Sequence, residues 1–322
     1  MNILGKKIII MKYCIVFILT GLTIVTKAQQ MPQSTFFVYD NMTINPGYAG
    51  SQDGICVNVL ARNQWMGFPG NQNVQKFDVH MPFKLFGWEH GAGFALYNDN
   101  IGLQRDINVA LSYAFLKPLG NGKLGVGLGG GFDNTTISGS WNPFDGTNDP
   151  NIPNTSSNGK IAINLNLGAF YKTKQVFLGL SAMNLFEGER RAQTTDGIER
   201  YAYTPRHYNL TAGYNYQLNN PLFELQPALL IQSVGSSTQI NVNATLRYRG
   251  KVWGGVGYRI TDAITTFIGV ELIEGLNAGI SYDITTSKIA NFSDGSMEIL
   301  VRYIFKVGVK KEYDHYKSIR YL

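Results

Sequence analysis

The chain has 322 residues, a formal charge of +6, 16% charged side chains, 36 glycines, and 18 each of Tyr and Phe. Charge is sparser than the roughly 25% of ordinary soluble domains, yet mean hydropathy is near zero and no apolar run long enough for a spanning helix follows residue 28. That combination argues against both an ordinary soluble domain and a helical membrane bundle; two cysteines and four scattered histidines also point to no disulfide framework, metal site or cofactor.

Residues 1–28 read as a secretory signal. Lys6, Lys7 and Lys12 precede an apolar run from Cys14 to Val25, and Thr26-Lys27-Ala28 places small side chains where a cut after Ala28 needs them. Removing this segment takes four lysines (the three named and Lys27) and no acid, so the charge falls from +6 to +2. The basic balance is then partly a targeting feature and gives no ground for nucleic-acid binding. Cys56 is the one cysteine expected in the mature chain. Residues 29–53 form a polar and aromatic stretch before the first strand, a periplasmic or lumenal segment. Pro46, Gly47 and Gly50 make it turn-prone at the barrel mouth. A plug or docking role is the alternative for Asn45, Pro46 and Tyr48.

From residue 54 to 306 the pattern has a period of two, which is that of a strand. In 239–248, Ile240, Val242, Ala244, Leu246 and Tyr248 share one face, and Gln239, Asn241, Asn243, Thr245 and Arg247 the other. In 161–171 the apolar set Ile161, Ile163, Leu165 and Leu167 alternates with Ala162, Asn164, Asn166 and Gly168. Strands are expected at 54–62, 74–81, 90–98, 107–116, 122–131, 161–171, 176–184, 206–217, 222–232, 238–248, 251–259, 264–273, 276–283 and 296–306. About fourteen strands of this length suit an all-β, antiparallel transmembrane barrel, because lipid-facing and lumen-facing residues alternate along each strand. Lipid cannot solvate backbone amides, so such a sheet must close. Glycines at 125, 127, 129–131, 254, 255 and 257 are read as allowing the strands to bend. A phosphate loop at Gly125–Gly129 lacks its helix and its lysine.

Connections one, three, five, seven and thirteen read as long and polar, notably 132–160 and 185–205. Most others are short turns, with 82–89 longer than that rule. Short periplasmic turns and long external loops are the outer-membrane pattern, which puts both termini in the periplasm. Residues 307–322 form a basic, Tyr-rich tail.

Candidate contact residues follow from this layout. Arg62 and Trp65 stand at the first external loop, where a snorkelling Arg and a girdle Trp are the plain reading. Asp283, Glu298 and Arg302 lie on late strands, either as a lumenal charge network or as separate polar positions. Trp141 and Phe144 are aromatics in a polar loop, which suits protein contact. No Gly-x-Ser-x-Gly or other catalytic arrangement is present.

Several motifs in order resemble one family. Asn45-Pro46-Gly47-Tyr48-Ala49-Gly50-Ser51 is similar to the Asn-Pro-Ala-Tyr-Ala-Gly-Ser run of the PorP/SprF proteins, outer-membrane components of the Bacteroidetes type IX secretion system. Arg62, Gln64, Trp65 and Gly67 resemble its Arg-x-Gln-Trp-x-Gly, and Asn98–Gly102 its Asn-Asp-x-Ile-Gly turn. Phe177–Ser181, Arg206–Tyr208 with Ala212–Tyr214, Trp253–Arg259 and Gly279–Asp283 continue the match. Gly295-Ser296-Met297-Glu298 carries Met297 where the family has His, so no role for that histidine transfers. The resemblance implies a barrel without catalytic activity or cofactor. Its expected partners are the secretion machinery, outer-membrane lipid, and a secreted adhesin-type client held through its C-terminal domain, as in gliding motility. The alternative is a porin or FadL-like channel for small solutes.

Overall fold

The computed structural model describes residues 32–137, 157–158, 161–186, 188–193, 199–235 and 237–306. Fourteen antiparallel strands form the wall among them: β1 (Ile55–Gln64), β2 (Gln72–Leu85), β3 (Trp88–Ile101), β4 (Gln104–Leu119), β5 (Gly122–Ile137), β6 (Ala162–Lys172), β7 (Val176–Met183), β8 (His207–Tyr214), β9 (Phe223–Val234), β10 (Ser237–Tyr248), β11 (Val252–Arg259), β12 (Ala263–Ile273), β13 (Leu276–Thr285) and β14 (Ser296–Phe305). Each pairs with the next, and β14 pairs with β1 from Ile55↔Phe305 to Asn63↔Met297. The sheet is therefore a closed barrel with every wall edge paired, as a lipid environment demands. No helix among the described residues is long and apolar enough to cross a membrane.

The strands form where alternation is strongest. On β10, Asn241, Asn243 and Thr245 are buried toward the lumen while Val242 and Leu246 are exposed. The outward set Val242, Val256, Ile268, Ile280 and Val301 is 41–59% exposed, so the barrel presents an apolar belt. Tyr214, Tyr216, Tyr248, Tyr258 and Phe305 are exposed near strand ends, as aromatic girdles require.

Two loop expectations change. The stretch 82–89 is mostly strand, since β2 and β3 run on to a two-residue turn at Phe86-Gly87. Both turn residues have positive φ (49° and 80°), which matches the twist of a tight hairpin. The third connection is also short, because β3 and β4 pair out to Ile101↔Gln104. Asp99 is buried toward the lumen while Lys84 and Arg105 are exposed on paired strand, so polarity in these places does not mark a loop. The seventh connection contains a hairpin of Gly188–Gln193 with Glu199–Thr204.

The apolar core sits inside the barrel. Residues 32–50 run through the lumen and are all buried except part-buried Val38. Their one short helix, α1 (Asn41–Ile44), is followed by a single 3-10 turn over Pro46–Tyr48. Phe37, Met42, Ile44 and Tyr48 pack on Ala114, Leu116, Phe170, Phe177, Ala228 and Leu230 of the wall. Phe36 and Tyr39 pack with Leu60, Trp253, Phe267 and Leu300. The turn at Pro46–Tyr48 thus lies within the lumen, and the segment fills it.

Candidate functional site

The filling segment is held by three sets of contacts, which the barrel positions one below another. The first lies toward the end of the barrel that carries the longer connections. Arg62, near the end of β1, points inward and is 3% exposed, so it does not snorkel. Its guanidinium meets Asp283 of β13 at 2.6 Å and Glu298 of β14 at 2.9 Å. Arg259 of β11 also reaches Asp283, at 3.2 Å. Buried charges are tolerated only when paired and hydrogen-bonded, and here the remaining acceptor capacity goes to the segment. Glu298 accepts from Ser34 Oγ at 2.6 Å, Thr35 N at 2.9 Å and Phe36 N at 3.4 Å. Asp283 accepts from Thr35 Oγ1 at 2.8 Å. Asn243 donates to the Thr35 carbonyl, and Asn241 to Gln33.

The second set surrounds α1. Lys76 of β2 pairs with Asp40 at 2.5 Å, and Thr43 donates to the same carboxylate. Ser181 and Asn209, from β7 and β8, both donate to the Ile44 carbonyl.

The third set is centred on Asn45-Pro46-Gly47. Asn45 Nδ2 donates to the carbonyls of Ala169 and Leu180 on the wall, and Asn45 Oδ1 accepts from Gly47 N at 2.9 Å. Such close approach of two backbones requires glycine beneath. A Cβ on Gly127 would stand 2.4 Å from the Pro46 carbonyl carbon, one on Gly125 2.3 Å from Gly47 O, and one on Gly168 2.0 Å from Asn45 Oδ1. Gly125 and Gly127 therefore serve the segment's fit. Reading them as freedom for strand bending missed this contact. Past the turn, Gly50 N donates to His80 Nδ1 at 3.2 Å.

The candidate residues are distributed as follows. Asn45, Pro46 and Tyr48 are in the lumen. Asp283 and Glu298 share one network through Arg62. Arg302 stands apart from it, with Cys56 Sγ at 3.3 Å and Tyr48 Oη at 3.5 Å. Trp65 begins the β1–β2 connection with a φ of 57°, its backbone N–H donating to Ser296 Oγ. Trp141 and Phe144 lie outside the described residues. Sequence reasoning missed Arg259, Lys76, Asp40, Ser34 and Thr35. The one available signal was that Arg259 and Lys76 fall on the inward register of their strands.

A closed barrel with an apolar outer face and a filled lumen is an integral protein of the bacterial outer membrane. The family model for the type IX secretion system membrane protein PorP/SprF matches residues 26–303, and the chain belongs to that family. It is thus an outer-membrane component of the type IX secretion system. No curated protein matches it in sequence. Solved structures of related shape include the Acinetobacter baumannii outer membrane protein Omp33, at 7% identity and a TM-score of 0.47, covering 80% of this chain and 100% of that one. A FadL homologue of Pseudomonas aeruginosa matches at 12% identity and a TM-score of 0.45, over 81% and 93% of the two chains. The monoaromatic hydrocarbon channel CymD matches at 10% identity and 0.46, over 89% and 97%.

Proposed function

We propose that this barrel is a non-enzymatic accessory that supports export or surface attachment of a large adhesin-type client, of the kind used in gliding. The client is held at the loop end and does not pass through the lumen. The observation that carries this reading is the filled interior. Two buried arginines, two carboxylates and a double aromatic cluster hold residues 33–50 across the lumen, which an open solute pore would not contain. We orient the barrel with the end where β1 begins and β14 finishes toward the periplasm, because most of the short turns gather there. Residues 1–28 are then a cleaved export signal and 307–322 a periplasmic tail. Arg62, Asp283, Glu298 and Asn45 act by holding the segment, and the loops around Trp65, Trp141 and Phe144 offer the contact surface.

The test is capture and conductance on the same purified protein. Immobilised barrel should retain the C-terminal domain of a large co-exported surface protein, and planar bilayers should show no steady conductance. Steady ohmic conductance by the intact chain, with no client retained, would instead establish the porin or FadL-like reading.

A further inference from the structure

Beneath the segment, on the side of the barrel where β1 begins, lies a cavity of about 180 Å³ whose cations take no part in the three anchoring sets. Its lining brings together Lys172 of β6, Arg247 of β10 and Arg302 of β14, with Tyr39, Tyr48 and Phe177. Arg302 is buried, and Lys172 and Arg247 are part-buried. None of the three forms an ion pair with a carboxylate among the described residues. Arg302 donates to a thiol and a phenol, Lys172 to Gln52 Oε1 at 3.0 Å and the Ser51 carbonyl, and Arg247 to Tyr39 Oη at 3.0 Å. Glu224 stands opposite Arg247 in register without bridging to it, and the nearby Asp78 accepts from Asn58.

The three cations repel one another, and the carboxylates that act on them through space, exposed Asp53 on Lys172 and Asp78 on Arg302, bridge to neither, so an anion in the recess is stabilised. The phenols add to this. Tyr48 Oη accepts from Gln52 and Arg302, and Tyr39 Oη accepts from Arg247. Neither hydroxyl donates to any described group, so both protons are free for an acceptor placed in the cavity. Part-buried Gln52, Thr173 and Asn215 on the lining open it toward the short-turn end.

We propose that this cavity is an oxyanion-binding site, taking a phosphate or carboxylate group between Lys172, Arg247 and Arg302 with Tyr39 and Tyr48 donating. It works from the side opposite the loops and is independent of client capture. Charge-assisted hydrogen bonds of this kind are the stronger class.

Titration calorimetry and thermal unfolding of the full-length barrel in detergent test it. Inorganic phosphate and N-acetyl-phenylalanine are compared with chloride at matched ionic strength. Phosphate binding alone assigns the site to a free oxyanion. Tighter binding of N-acetyl-phenylalanine assigns it to a carboxylate at a chain end, with Phe177 receiving the ring. In either case Arg247→Gln and Lys172→Gln should weaken binding on the order of tenfold each. Tyr39→Phe should weaken it less, and Lys84→Gln, an exposed lysine outside the cavity, not at all. These variants are part-buried or conservative, so barrel formation is checked by heat-modifiable migration. No saturable binding of either probe overturns the proposal, as does binding that Arg247→Gln and Lys172→Gln together leave unchanged.

Discussion

Replacing Glu298 by Gln isolates what holds the filling segment at its first contact. The substitution keeps the shape but removes the charge that pairs with Arg62 at 2.9 Å and accepts from Ser34 and Thr35. Both partners of that ion pair are almost fully buried. Three donors of the segment converge on this carboxylate, Ser34 Oγ, Thr35 N and Phe36 N, and exchanging a charged acceptor for a neutral one gives up about 1 kcal/mol at each. Asp283 keeps Arg62 and Arg259 engaged, so the wall itself stays closed. The cost therefore falls on the segment, and about 3 kcal/mol corresponds to roughly a 100-fold rise in its open population. A cysteine at Gln33, read against fully buried Cys56, reports that opening through its rate of reaction with a membrane-impermeant maleimide. Glu298→Gln should speed labelling on the order of 100-fold while heat-modifiable migration persists. Equal protection in parent and variant, with equal thermal stability, would refute the argument that this carboxylate holds the segment.

Three further outcomes follow from the same geometry. Gly127→Ala should destabilise by about 1–3 kcal/mol because the new methyl meets Pro46, whereas Gly130→Ala, with nothing within 4 Å, should be neutral; urea unfolding in detergent compares them. Asn45→Ala removes two donations to wall carbonyls and an acceptor for Gly47, and should cost about 1–3 kcal/mol in that assay. Ile268→Arg places a cation on the apolar belt and should cost about 2–4 kcal/mol of folding stability in lipid, seen as lower yield of folded barrel in vesicles.

All fourteen strands were legible in the chain, with most ends displaced by up to three residues and the largest shift at β5, which takes 132–137 from the expected long loop and runs on to Ile137. Alternation is a local property: Val242 and Asn243 declare their faces whatever lies across the sheet. The expected long connections at 82–89 and 99–106 failed for a related reason. Lys84, Asp99 and Gln104 are polar because they face the lumen or the rim, and the chain alone does not separate an inward polar side chain from a loop residue.

What the sequence determined by itself is the wall: period two, sparse charge, tight turns such as Arg249-Gly250, and therefore a closed barrel in lipid. What only the tertiary structure decided is the interior. Asn45-Pro46-Gly47 has the composition of a mouth turn, and only its approach to Gly125, Gly127 and Gly168 places it inside. Asp283 and Glu298 become one site through Arg62, and Arg302 belongs to another, because lumen neighbours come from strands far apart in sequence. Ser34 and Glu298 are separated by 264 positions. A contact of that kind depends on register and closure around the whole barrel, and no local pattern encodes it.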